Sequence, residues 1–297
     1  RNLTIIQEAL RFVKENQKKM IFLSELPLDD KKTYELLSSG ETTGIFQLES
    51  SGMRRYIKDL KPTSIFDLQA MVALYRPGPM ANIPEFINRK HNPSLIKYPD
   101  PRLKDILKES YGVITFQDDV LLTSIAVAGY SWLEADKLRK AIGKKISSEM
   151  KKQHDQFVDG CIKNGMLKKN AESLWILFEP FAGYGFNKAH AAGYATIAFQ
   201  TAYLKAHYPV EFMTALLTAE SRGTTGPVKN EKIAQAVTDC RRLNVKVLPP
   251  DINKSNTDFT IEDKSKIRFG LSAIKNVGEA AMKSILEARS KCPFRNL

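Results

Sequence analysis

Residues 185–220 read GFNKAHAAGYATIAFQTAYLKAHYPVEFMTALLTAE. Alanine and other helix formers fill most of this run, which predicts helix. His207-Tyr208 breaks one helix, and Pro209 suits the start of the next, which runs to about Ala219. Within the first helix, Lys188, His190 and Tyr194 stand among small residues. Such a wall fits either a reactive site or a platform against which something flat lies. Spacing alone leaves both readings open.

Helical signals also dominate outward from this stretch. Thr4 with Gln7 reads as a capping box, followed by Ile6, Leu10 and Val13 at helical spacing. Ser64 opens a helix with Ile65, Leu68, Val72 and Tyr75 on one face, and Arg76-Pro77-Gly78-Pro79 ends it. Ser131 and Glu134 form a further capping box; Ala135, Leu138 and Ile142 face the core, and Gly143 is expected to stop the helix. Ser221 to Pro227 reads as a linker or exposed loop, before a basic helix from about Lys232 to Leu243. Short β-type runs follow at Val245–Leu248, Asp258–Ile261 and Ile267–Gly270, the last two flanking a charged turn as a hairpin would. A last helix is expected from Glu279 to about Ser290. The fold class is therefore mainly α: a multi-helix domain over residues 1–220, then a small mixed segment over 221–297.

The length of 297 residues suits about two domains, and 43% hydrophobic with 26% charged residues suits a chain with a sizeable core. No apolar run approaches the ~18–20 residues of a membrane span, so no membrane partner is expected. No secretory signal pattern opens the chain. Cys161, Cys240 and Cys292 are odd in number and lack metal spacing, which points to a reducing cytoplasm. The start at Arg1 and the unpunctuated end read as a piece of a longer polypeptide. A net charge of +12 favours a polyanionic partner, with a merely soluble basic protein as the plainer alternative.

Several residues invite a chemical reading. Asp118-Asp119 is a tempting metal pair, but neighbours on a helix point about 100° apart. A solvated helix start, with acid near the positive helix end, is the expectation. No GxSxG elbow or cysteine-nucleophile signature appears. His91 and His154 read as surface residues, and His207 as a capping or positional one. From Lys137 to Lys152 there are seven basic residues, including Arg139, Lys140, Lys144 and Lys145, against one acid, Glu149. Two would complement a helix dipole; seven repel one another without a counter-anion, which favours phosphate. Arg76 before Pro77 is either part of a rigid helix stop or a residue that a stiff corner presents to a ligand. In the tail, the turn ending at Gly278 before a helix can offer backbone N–H groups to phosphate, with Lys275 and Lys283 adding charge.

Taken in order, GETTGIFQLESSGMRRYIKDLKP, ALYRPGPM, AGYSWLEADKLRKAIGKK and GYGFNKAHAAGYATIAFQTAYLKAHYPVEFMTALLTAE resemble consecutive blocks of the fingers of the C-family replicases, the alpha subunits of bacterial DNA polymerase III. VLPPDINKSNTDFTI and IRFGLSAIKNVGEAA resemble the segment that enters their helix-hairpin-helix DNA-binding domain. The resemblance implies a part of a DNA-directed DNA polymerase that binds primer–template DNA and the triphosphate of an incoming dNTP. It implies that Arg139 and Lys140 match a basic pair, with lysine where many relatives have arginine, followed by Lys144 and Lys145. Arg76 matches the Arg-Pro-Gly-Pro corner, and Lys188, His190 and Tyr194 match the wall beside the nascent base pair. Gly193 stands where alanine is common, and Asn276 where relatives usually have glycine. The catalytic carboxylates and their Mg2+ are expected in a palm upstream of Arg1, so this segment carries no catalytic residue, binds no cofactor and is inactive alone. The other implied partners are the palm and remaining domains of the same chain, and the sliding clamp and other replisome subunits through other regions, in the bacterial cytoplasm.

Two competing readings use the same residues. One is a standalone basic DNA-binding protein of repair or chromatin type. The other is a hydrolase using His190 with a nearby acid.

Overall fold

A computed structural model describes residues 1–144, 147–181, 185–223 and 226–295. Its helices in chain order are α1 (Asn2–Gln17), α2 (Lys31–Ser39), α3 (Ser51–Leu60), α4 (Ile65–Leu74), α5 (Ile83–His91), α6 (Lys104–Leu107), α7 (Gln117–Ala128), α8 (Trp132–Lys144), α9 (Ser147–Lys163), α10 (Lys168–Ile176), α11 (Lys188–His207), α12 (Pro209–Gly223), α13 (Gly226–Arg242) and α14 (Glu279–Lys291). The strands are β1 (Lys246–Leu248), β2 (Thr260–Asp263) and β3 (Lys266–Arg268). The mainly α class expected from the sequence is what the chain adopts.

The chain forms two compact units, one of Arg1–Ser50 with Ala198–Leu297 and one of Ser51–Ile197. In the first unit α12 is the central helix. Apolar residues surround it, so it is buried on nearly every side, Phe212, Met213, Leu216 and Leu217 included. The face of α1 formed by Ile5, Ile6, Ala9 and Val13 packs on it, and so does α13. The sheet has the order β1-β3-β2. β2 and β3 form the expected antiparallel hairpin, with Asp263 Oδ1 accepting from Ser265 N at 2.8 Å in the turn. β1 pairs with β3 in parallel, Val247 beside Ile267, which three short β-type runs did not reveal. Arg289 anchors α14 by donating to Ser255 O at 2.7 Å and to Asn256 Oδ1 at 2.9 Å.

The second unit is built around α7, α8, α9 and α10, which share a core of Val120, Val127, Leu138, Phe157, Trp175 and Phe178. Capping decides where its helices start. Ser64 accepts from Asp67 N while Asp67 Oδ2 accepts from Ser64 N, a reciprocal box that opens α4. Glu134 Oε2 likewise accepts from Ser131 N at 2.8 Å, and Ser131 Oγ from Glu134 N at 3.3 Å, ahead of α8.

Four local expectations are corrected. Helix α1 begins at Asn2, so Thr4 is already helical and cannot cap; Ile5 N reaches Arg1 O at 3.0 Å. Gly143 lies inside α8, which continues to Lys144, rather than beyond its end. The loop expected over 221–227 is largely helix: α12 extends to Gly223 and α13 begins at Gly226, with Pro227 in its first turn, where a missing N–H costs nothing. Ser221 is buried, its hydroxyl donating to Thr218 O. Finally, α4 is buried nearly all round from Asp67 to Leu74, not on one face only.

Candidate nucleotide and nucleic-acid site

The Arg-Pro-Gly-Pro corner follows directly from α4. Pro77 forces the chain out of the helix after Leu74, and Arg76 N donates back to Leu74 O at 2.7 Å. Gly78 takes φ 94°, a value that glycine tolerates freely, and Met80 N closes the bend on Arg76 O at 3.1 Å. The corner therefore does more than stop a helix: it sets the Arg76 guanidinium 4.2 Å over the ring of Phe186. The Arg76 Nε is buried and has no hydrogen-bond partner.

Phe186 heads an aromatic stripe. Its ring is 5.1 Å from His190 and 6.2 Å from Tyr194, and those two rings are 4.1 Å apart. The three residues are spaced four apart, which keeps them on one side of α11 and the turn leading into it. Behind them, Phe186 packs on Ala73, Phe116 and Ala191. Lys188 faces elsewhere. Its Nζ pairs with Glu109 Oε2 at 2.9 Å, and its N–H donates to Asp118 Oδ2 at 2.8 Å. The structure thus joins Arg76, His190 and Tyr194 through Phe186 and sets Lys188 apart from their stripe.

The start of α11 is fixed by two caps. Asn187 Oδ1 accepts from His190 N at 2.9 Å, and the Asp118 carboxylate sits at the positive end of the helix. Gln117 N donates to Phe186 O at 3.0 Å, so the first residue of α7 holds the ring that carries Arg76. The expected solvated role for the Asp118-Asp119 pair is corrected here. Asp119 is 3% exposed and accepts from Thr115 N at 2.8 Å and Phe116 N at 2.9 Å. Burial pushes its pKa up to about 7, against those hydrogen bonds and the nearby Lys188 charge. Tertiary packing covers the helix start, and a sequence window does not see it.

Helix α8 divides the basic cluster. Arg139 Nη2 pairs with Asp136 Oδ1 and Lys140 Nζ with Asp136 Oδ2, each at 2.7 Å. Hydrogen bonds from Lys140 and then Arg139 hold the Asp136 carboxyl below the usual range. Asp136 is thus a counter-anion just outside the 137–152 window. Arg139 lines a small cleft with Gln117, Gly143 and Phe181, whereas Lys137 and Lys140 line a groove against α9. Lys144 ends α8, and Lys145 lies outside the described residues. Phe186 and Asp136 are the two residues the sequence reading missed. Their signals were the 186-190-194 spacing and an acid three and four residues before Arg139 and Lys140.

The tail residues belong to the other unit. Lys275 and Asn276 are exposed, and Asn276 has φ 66°, the left-handed region that glycine and asparagine enter most easily. Gly278 is the N-cap of α14, and Met282 N bonds its carbonyl at 3.1 Å. Lys283 stands exposed on α14, 4.0 Å from Glu287. His207, expected as a capping or positional residue, lies 2.9 Å from Asp30, the N-cap of α2; His154, expected at the surface, lies between Asp155 and Glu172, whose carboxylates raise its pKa. Among the described residues, no three His, Cys, Asp or Glu side chains are placed to share a metal ion. No described helix is long and apolar enough to cross a membrane.

Residues 2–165 match the bacterial DNA polymerase III alpha subunit finger domain, and residues 244–297 match a helix-hairpin-helix motif. The chain belongs to the bacterial DNA polymerase III alpha subunit finger-domain family. It is 47% identical over 303 residues to the DNA polymerase III subunit alpha of Thermus aquaticus, covering 100% of this chain and 24% of that protein. The corresponding subunits of Bacillus subtilis (strain 168) and Escherichia coli (strain K12) are 44% and 43% identical, over 100% and 98% of this chain and 26% of each relative. The chain therefore spans about a quarter of the length of these relatives.

Proposed function

We propose that this chain is the fingers, residues 1–220, and the entry to the helix-hairpin-helix domain, residues 221–297, of a DNA-directed DNA polymerase of bacterial replication. The observation that carries the reading is Arg76, held over Phe186 beside His190 and Tyr194. A cation backed by an aromatic stripe suits a triphosphate attached to a flat base. Arg139, Lys140, Lys144 and Lys145 add charge for the triphosphate, and Lys188 braces the wall through Glu109 and Asp118. Lys275, Gly278 and Lys283 contact the DNA backbone through charge and a helix N-terminus.

The two-metal chemistry with Mg2+ belongs, on the family resemblance, to carboxylates of a palm in the full-length polymerase. These fingers position and neutralise; they perform no displacement. Clamp and replisome contacts, and a cytoplasmic place of action, go with the full-length protein. Family membership over residues 2–165 favours this reading over a repair or chromatin protein. His190 packs on Phe186 and Tyr194, as a wall residue does.

The test is primer extension by the full-length polymerase carrying Arg139→Ala. The apparent KM for dNTP rises or the rate falls, with primer binding retained. An unchanged nucleotide dependence would remove Arg139 from the site.

A further inference from the structure

Gln117 opens α7 where the two parts of the proposed nucleotide site meet. Its backbone N holds Phe186, the ring that carries Arg76, through Phe186 O at 3.0 Å. Its side chain lines the small cleft shared by Arg139 and Phe181. The roles proposed above use Arg76 and Arg139 and leave the Gln117 side chain with none.

Three observations give that side chain a task. It is held in place: a Cβ built on Gly185 would lie 2.5 Å from Gln117 Cγ and 2.9 Å from Gln117 Nε2. The glycine leaves the space in which the glutamine packs. The side chain is also unspent. Gln117 is half-buried, and among the described residues its amide hydrogen-bonds to no protein group. An amide offers two donor hydrogens and an acceptor oxygen, so this capacity is open to a ligand. Finally, a cation shares the cleft with hydrogens to spare. Arg139 donates Nε and Nη2 to Asp136 Oδ1, and among the described residues its Nη1 has no partner. The cleft measures about 10 Å3, room for about one oxygen-sized group. An amide N–H and a guanidinium N–H beside such a space suit an anionic oxygen, to which both can donate.

We infer that Gln117 is a nucleotide-contacting residue whose side-chain N–H donates to a phosphate oxygen of the incoming dNTP beside Arg139. The inference rests on the proposed reading of Arg139 and deepens it. The first residue of α7 then serves the triphosphate through its side chain and the aromatic stripe through its backbone.

Steady-state primer extension by the full-length polymerase tests this, with inorganic tripolyphosphate as the competing ligand and Mg2+ in excess. Gln117→Ala keeps the backbone N–H that holds Phe186. It is expected to raise the KM for dNTP and the Ki of tripolyphosphate together, by about tenfold to a hundredfold, with the KM for primer–template unchanged. Gln117→Glu keeps the length that packs against Gly185 but puts an anion where the donor was. It is expected to raise both constants further. A packing role alone reverses that order and leaves Gln117→Glu close to wild type. That reversal overturns the proposal. So does an unchanged dNTP KM in Gln117→Ala, or a raised KM with an unchanged tripolyphosphate Ki. Arg139→Ala, measured alongside, separates the two readings. If it raises the dNTP KM while the Gln117 variants do not, the inference falls and the nucleotide site stands. If Gln117→Ala raises both constants while Arg139→Ala raises neither, the Arg139 reading falls and the Gln117 contact stands.

Discussion

The guanidinium of Arg76 lies 4.2 Å over the ring of Phe186, and Phe186 is held through its carbonyl by Gln117 N at 3.0 Å. The arginine is therefore aimed by a residue 110 positions away in sequence, and through it by the first turn of α7. Phe186→Leu keeps apolar bulk but removes the ring. A cation–π contact is worth about 0.5–2 kcal/mol, so kcat/KM for dNTP in the full-length polymerase is expected to drop about two- to thirtyfold. The thermal midpoint should move little, and steady-state extension beside a melting curve separates the two effects.

Asp119 gives a pH signature. Its folded pKa of about 7 lies above the unfolded value near 4. The carboxyl therefore contributes stability below about pH 4 that is lost as pH rises through 7. The nearby Lys188 charge pulls this pKa down and the Asp118 charge pushes it up. Asp119→Asn keeps an acceptor for Thr115 N and Phe116 N without the charge. Urea midpoints of variant and parent should diverge in the variant's favour between pH 4 and 7 and run parallel above. A constant difference across that range would show that Asp119 does not titrate there.

Gly193 sits exposed within α11, and a Cβ added there meets no atom within 4 Å. Gly193→Ala should stabilise the chain by about 0.5–1 kcal/mol, through helix propensity alone. Chemical denaturation measures it, with an unchanged m-value expected.

Lys205 is 0% exposed, and its Nζ donates to Glu41 O at 2.7 Å, Thr43 O at 2.9 Å and Asp239 Oδ2 at 3.0 Å. Lys205→Met removes the donor of two carbonyls and leaves the buried Asp239 carboxylate with only the longer Arg242 contact at 3.7 Å. A loss of about 3–5 kcal/mol is expected. Adding Asp239→Leu should recover part of it, and the double-mutant cycle isolates the pair.

The sequence by itself determined the elements whose causes are local. The capping box of Ser131 with Glu134, the break at His207-Tyr208 before Pro209, the proline corner after Leu74 and the hairpin around Asp263 all follow from residues within a few positions of one another. Backbone hydrogen bonds and fixed φ values act over that range, so their signals survive in a short window. The blocks from Gly40 to Ala281 also carried the family. Local reading failed where a helix ran on past its signal, as at Gly143 and over Ser221–Gly223, because packing outweighs about 1 kcal/mol of propensity. What only the tertiary structure decided is which side chains meet. It buried Asp119, laid β1 parallel to β3, turned Lys188 toward Glu109, and parted Arg139 from Lys137. Those outcomes depend on contacts between residues far apart in the chain. They also depend on the direction each Cβ leaves its helix, which a run of seven basic letters does not carry.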